Sequence, residues 1–120
     1  MGITTKQRGR AVFSGGVNTT VLPYASDGAI SVLDGIALLT KAGVGAYTLA
    51  APARDGQRLT IIARTANAHV VTATGLIDDG ITGGSKTTMT FTGGFVGESI
   101  ELVSYGGKWN VVAKNVVAVT

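Results

Sequence analysis

The 120-residue sequence has no cysteine, one histidine, two prolines, and only three phenylalanines, three tyrosines and one tryptophan. Without cysteine there is no disulfide framework, no thiolate zinc site and no thiol nucleophile. With His69 alone, a zinc site built within one chain lacks the further nitrogen ligands it needs, so neither a metal nor a cofactor is expected. Apolar runs are short: Gly, Thr, Asp, Lys or Arg interrupts every stretch before the ~18 residues of a membrane-spanning helix. The basic start, Met1 to Arg10, leads into too short an apolar segment for a signal-peptide core, which predicts a soluble chain made in the cytoplasm.

Charge is scarce too. Charged residues make up 14% of the chain, against ~25% in ordinary domains, whereas the 18 glycines are about twice the usual share. Lys6, Arg8 and Arg10 stand in the first ten residues without an acid. The other seven bases match seven acids. The reading is a basic N-terminal arm, residues 1–10, on a neutral domain, residues 11–120. Such a surface is a poor design for a solitary soluble monomer, and interface cores are depleted in charge, so association with identical copies is expected.

What the chain does contain is β pattern. Thr88–Thr92 places Met89 and Phe91 on one face and threonines on the other. Arg58–Arg64 sets Leu59, Ile61 and Ala63 against Thr60 and Ile62, so that both faces are partly apolar. Segments 68–74, 99–105, 108–113 and 115–119 add β-branched runs, punctuated by Asp78-Asp79-Gly80, Gly93-Gly94, Gly106-Gly107 and Lys114-Asn115 turns. Tyr105-Gly106-Gly107-Lys108 reads as a two-residue hairpin. Earlier, segments 11–13, 17–24, 28–33 and 45–50 read as short strands. A short helix carrying Ile30, Leu33, Ala37 and Lys41 competes there, against Asp34-Gly35, which prefers a turn. The expectation is one all-β domain, a sandwich or barrel-like fold of seven to ten short, mostly antiparallel strands.

Candidate chemistry is thin. Asp78 or Asp79 with Glu98 or Glu101 could form the two carboxylates of a glycoside hydrolase, although adjacent aspartates before glycine also describe a solvated turn. His69, in Asn67-Ala68-His69-Val70-Val71, reads as a polar residue on an exposed strand face or edge, and no nucleophile elbow accompanies it. Gly80-Ile81-Thr82-Gly83-Gly84-Ser85-Lys86-Thr87 departs from a phosphate loop because Ser85 stands where glycine belongs and a strand follows. Gly43-Val44-Gly45 likewise reads as a hairpin loop. Trp109 alternates with Val111 and Ala113, which makes Trp109, like Phe91, a core or oligomer anchor. No enzyme is expected.

Tyr47-Thr48-Leu49-Ala50-Ala51-Pro52, Asp55-Gly56-Gln57-Arg58-Leu59-Thr60-Ile61, Ala68-His69-Val70-Val71-Thr72, Gly97-Glu98-Ser99-Ile100-Glu101-Leu102 and Gly107-Lys108-Trp109-Asn110-Val111 together resemble a pattern of tailed-bacteriophage virion proteins. These include capsid decoration (cement) proteins and β-rich domains of trimeric tail fibres or spikes. The likeness spans about Val44 to Ala113. It implies a trimeric particle component, without catalytic residues, whose N-terminal portion attaches elsewhere. Fibres usually continue into long repeats, and this sequence reads as one small module, so decoration is the favoured expectation. On that reading a homotrimer on the capsid surface binds the major capsid protein, with Lys6, Arg8 and Arg10 as the docking arm and neither membrane nor nucleic acid as partner. The alternative is a receptor- or glycan-binding domain of a tail fibre or spike, using loops around Asp78–Ser85 and Phe95.

Overall fold

The computed structural model describes residues 19–33, 35–81 and 83–120. The arm with Lys6, Arg8 and Arg10, and the expected strand at 11–13, lie outside them. Ten strands and no helix occur among the described residues: β1 (Val21–Tyr24), β2 (Gly28–Ile30), β3 (Gly35–Leu39), β4 (Ala46–Leu49), β5 (Arg58–Ala63), β6 (Val70–Asp78), β7 (Lys86–Phe91), β8 (Ser99–Tyr105), β9 (Lys108–Asn115) and β10 (Val117–Val119). They join into one nearly closed, barrel-like sheet in the order β1-β3-β5-β8-β9-β6-β4-β2, with β7 between β6 and β10. The all-β expectation therefore holds.

Antiparallel pairing does not predominate, however. Five of the nine ladders are parallel: β1 with β3, β3 with β5, β2 with β4, β4 with β6, and β6 with β9. The chain alternates between two layers, laying β1, β3 and β5 side by side in one and β2, β4 and β6 in the other. Tight hairpins are replaced by corners, and Gly43-Val44-Gly45 is such a corner between β3 and β4 rather than a hairpin loop. Only the later strands, β7 to β10, pair antiparallel with sequence neighbours or with β5 and β6. The competing helix is a strand: Ala37 and Leu39 of β3 are buried while Ile36 and Leu38 face outward, the period-two signature.

The predicted Tyr105–Lys108 hairpin forms, with Gly106 and Gly107 at φ 65° and 77°, the left-handed pair that a type I′ turn requires. Along β9, Leu102 faces Val111 but Glu101 faces Ala113, so Val112 is an extra, bulged residue. The bulge reverses the inward beat. Trp109 is buried, whereas Ala113 is exposed instead of sharing its face.

The break between β9 and β10 falls at Val116, one residue beyond the expected Lys114-Asn115 turn, and Val116 sits at φ 61°. A β-branched residue pays about 1 to 2 kcal/mol in that left-handed region. Val116→Asn, which tolerates this conformation, is expected to raise the melting temperature by roughly 3 to 5 °C in a calorimetric scan.

The core lies between the layers. Leu39, Ile61 and Ala63 from one meet Tyr47, Leu49 and Val71 from the other, with Met89, Phe91, Ile100, Leu102 and Trp109 completing it. Phe91 and Trp109 are fully buried within the chain, so they are core residues rather than oligomer contacts.

Candidate functional site

The corners at one end of the layers are stacked and tied by side chains. The corner between β3 and β4 lies against that between β5 and β6: Thr65 Oγ1 donates to the Lys41 carbonyl at 2.6 Å, and Asn67 Nδ2 to the Ala42 carbonyl at 3.1 Å. His69 joins them. Its Nδ1 accepts the Gly45 N–H at 2.9 Å, and its Nε2 lies 2.8 Å from Thr65 Oγ1. Because the Thr65 proton already points to Lys41 O, Nε2 must donate, which makes the ring the neutral Nε2–H tautomer. The expectation of an exposed His69 is overturned: it is fully buried, edge-on to Tyr47. Burial pushes its pKa below the ordinary 6.5.

A third corner, 92–98, packs on the β5–β6 corner. Gly93 approaches so closely that a Cβ there would lie 2.7 Å from the Ala68 backbone nitrogen, and its φ is +83°. Glu98 is buried beneath this loop, where Thr92 Oγ1 and the Gly93 N–H, the latter at 3.1 Å, donate to its carboxylate. Burial alone would raise the Glu98 pKa. The Thr92 hydroxyl and the N–H groups of Gly93, Phe95 and Gly94 outweigh it and hold the carboxyl below its usual 4.5. A buried anion thus organises the loop whose tip presents Phe95 and Val96 to solvent, 73% and 50% exposed.

Register brings Val116 to the same end, since β8 and β9 pair there through Ser99 and Asn115, and β7 and β10 through Phe91 and Val117. Val44, on the stacked β3–β4 corner, is 57% exposed and Val116 is 51% exposed. The end therefore presents Phe95, Val96, Val44 and Val116 to solvent beside the exposed Arg64 and the Lys41–Asp27 ion pair.

The segment carrying Pro52 and Asp55-Gly56-Gln57 docks on the β8–β9 hairpin. Trp109 Nε1 donates to the Ala50 carbonyl at 2.9 Å, the Gly106 N–H to Asp55 Oδ1 at 3.0 Å, and Ser104 Oγ to the Arg54 carbonyl at 2.6 Å. Buried Gln57 takes the N–H groups of Ala53 and Arg54 on Oε1 and donates its own N–H to Ser104 Oγ. Gln57 Nε2 is buried and has no hydrogen-bond partner among the described residues. Motifs distant in sequence are thus two halves of one structural clasp.

Asp78 and Glu98 are not brought together as the acid and base of a glycosidase. Asp78 aligns with Asn110, and Asn110 with Val103, five residues along β8 from Glu98, or about 17 Å. Glu98 is sequestered, and Asp78 and Asp79 serve the β6–β7 loop, accepting from Ser85 Oγ and the Ile81 N–H, both at 3.0 Å. That loop joins antiparallel strands through Ile77 and Lys86, as a hairpin connection. Lys108 Nζ lies 2.5 Å from Ser85 Oγ. Among the described residues, no three His, Asp or Glu side chains gather as a metal site. Sequence reasoning missed the buried roles of His69, Glu98 and Gln57. Only the Thr92-Gly93-Gly94 turn preceding Glu98 hints at one of them.

A second apolar area covers the solvent side of β1, β3 and β5. Register aligns Val21 with Ile36 and Thr60, and Pro23 with Leu38 and Ile62. These residues alternate with the buried Ala37, Leu39, Leu59 and Ile61, so they share the outer face. The chain matches no model of a known protein family, and no curated protein matches its sequence.

Proposed function

We propose that the chain is a structural virion protein that acts as a homotrimer on the outside of a phage capsid, holding neighbouring coat subunits together. The observation that carries this reading is the end that presents Phe95, Val96, Val44 and Val116 to solvent on corners tied by the buried His69 and Glu98. Exposed aromatic anchors on pre-organised loops are what binding surfaces use, because little conformational freedom remains to be lost on docking. Of the candidate carboxylates, Glu98 holds a corner, and Asp78 and Asp79 hold the β6–β7 loop. The sequence likeness to decoration proteins supplies the partner, the major capsid protein. Many copies acting together on one shell raise its resistance to disruption far beyond a single contact.

Phe95→Ser should weaken binding to shells assembled without this chain by about thirtyfold, as loss of a hot-spot aromatic does, and leave the melting temperature unchanged. Co-sedimentation measures the binding. Retained affinity in the variant would remove the tip from the interface, and binding to host cells with none to shells would favour the receptor-binding alternative.

A further inference from the structure

Four of the five aspartates stand before glycine: Asp27-Gly28, Asp34-Gly35, Asp55-Gly56 and Asp79-Gly80. In such a pair the glycine nitrogen can close on the aspartyl side chain, because glycine has no side chain to hinder it. The fold does not treat the pairs alike. At Asp55-Gly56, the Gly56 N–H donates to the Ser104 carbonyl at 2.8 Å, and Asp55 Oδ1 accepts the Gly106 N–H at 3.0 Å. Nitrogen and carboxyl are both engaged in the clasp. At Asp27-Gly28, Asp27 Oδ1 takes Lys41 Nζ at 2.8 Å and the Ala46 N–H at 3.0 Å, and Gly28 opens β2 opposite Tyr47. Those partners, Lys41 first, hold the carboxyl below its usual 3.8 and so in the charged form, which gives up no oxygen. Asp34 lies outside the described residues.

Asp79-Gly80 differs. It follows Asp78, the last residue of β6, in the loop that leads to β7. The Gly80 N–H makes no hydrogen bond among the described residues. Asp79 Oδ1 accepts the Ile81 N–H at 3.0 Å, an Asx turn that folds the carboxyl back over the Gly80 peptide. Gly80 and Ile81 are exposed, and the β6–β7 ladder resumes only at Lys86, so this turn can bend without breaking a strand pair.

We infer that Asp79-Gly80 is a self-modification site of the folded chain, at which Asp79 isomerises to isoaspartate. The Gly80 nitrogen bonds to Asp79 Cγ while the protonated carboxyl gives up its hydroxyl, which leaves as water with the amide proton. The product is a cyclic succinimide. Water then opens the ring. Opening at Cγ restores aspartate, whereas opening at the main-chain carbonyl breaks the original bond to Gly80 and leaves the chain running through Cγ beside a free α-carboxylate. One water leaves and one returns, and no oxidant or reductant takes part. The main chain gains one carbon in the loop that Asp78 and Ser85 brace. The inference stands whether or not the chain binds shells.

Trypsin divides the four pairs among three peptides, 11–41, 55–58 and 65–86. Full-length chain is incubated for weeks at neutral pH, native and in urea, and then digested. Isoaspartate is counted by methyl transfer from S-adenosylmethionine with an isoaspartyl methyltransferase, and electron-transfer fragmentation separates Asp78 from Asp79. In the native chain the label is expected at Asp79 at least about fivefold faster than in peptide 55–58, the factor that one engaged hydrogen bond contributes. Urea should bring the two rates together by raising that of Asp55. Native rates that are equal, or a label appearing at another aspartate ahead of Asp79, would overturn the inference. So would a native chain that forms no isoaspartate, or a preference for Asp79 that survives in urea and therefore owes nothing to the fold.

Discussion

Trp109→Ala is expected to destabilise the chain by about 3 to 5 kcal/mol, lowering the melting temperature by roughly 10 to 20 °C. The indole is fully buried, so its removal leaves a cavity that the surrounding strands only partly close. It also orphans the Ala50 carbonyl, which the indole N–H satisfies at 2.9 Å and on which the docking of the 50–57 segment partly depends. Trp109→Phe fills most of the cavity but supplies no donor, so a stability between wild type and Ala separates packing from the hydrogen bond. Denaturant melts give both differences. A loss below about 1 kcal/mol for Ala would mean that the clasp is not coupled to the core.

Stability should also fall as pH drops below about 6.5, and His69 should be the cause. Its pKa is depressed in the folded chain, so the unfolded chain takes up the proton first. The contribution is fully present above the unfolded value of 6.5 and is lost as pH falls toward the folded one, by at most about 1.4 kcal/mol per pH unit. Structure explains the sign: a protonated Nδ1 would point a hydrogen at the Gly45 N–H it now accepts from. Glu98 acts lower, since its depressed carboxyl stabilises the fold above its usual 4.5 and fails only as pH falls through its folded value. His69→Gln should therefore flatten the profile between pH 7 and 5 and cost about 1 to 3 kcal/mol at neutral pH, through hydrogen bonds left unmade. A slope unchanged in the variant would assign the acid sensitivity to other groups.

Where alternation was strict, the sequence revealed the strands closely: Ser99–Tyr105 is β8 to the residue, and Met89 and Phe91 point inward as their spacing required. β3 escaped because Ile36-Ala37-Leu38-Leu39 has no polar beat. Both its faces are apolar, and Asp34-Gly35 reads as a turn. The parallel layering escaped for a related reason, because nothing in a short β run says whether its neighbour is the next strand or the one after. His69 looked exposed because its partners, Gly45 and Thr65, come from two corners that only folding stacks. The two-sided character of Arg58–Arg64 was legible, because Thr60 and Ile62 alternate with the buried Leu59, Ile61 and Ala63. The basic arm falls outside the described residues, so its role remains an expectation of the sequence.

On the proposed function the chain works by docking its exposed end onto coat subunits. The most direct test is a titration of full-length protein onto shells assembled without it, with bound copies counted by particle imaging. Saturable binding in clusters of three at fixed positions between coat subunits, lost on Phe95→Ser, is the predicted result. Shells that remain bare at saturating protein would contradict it.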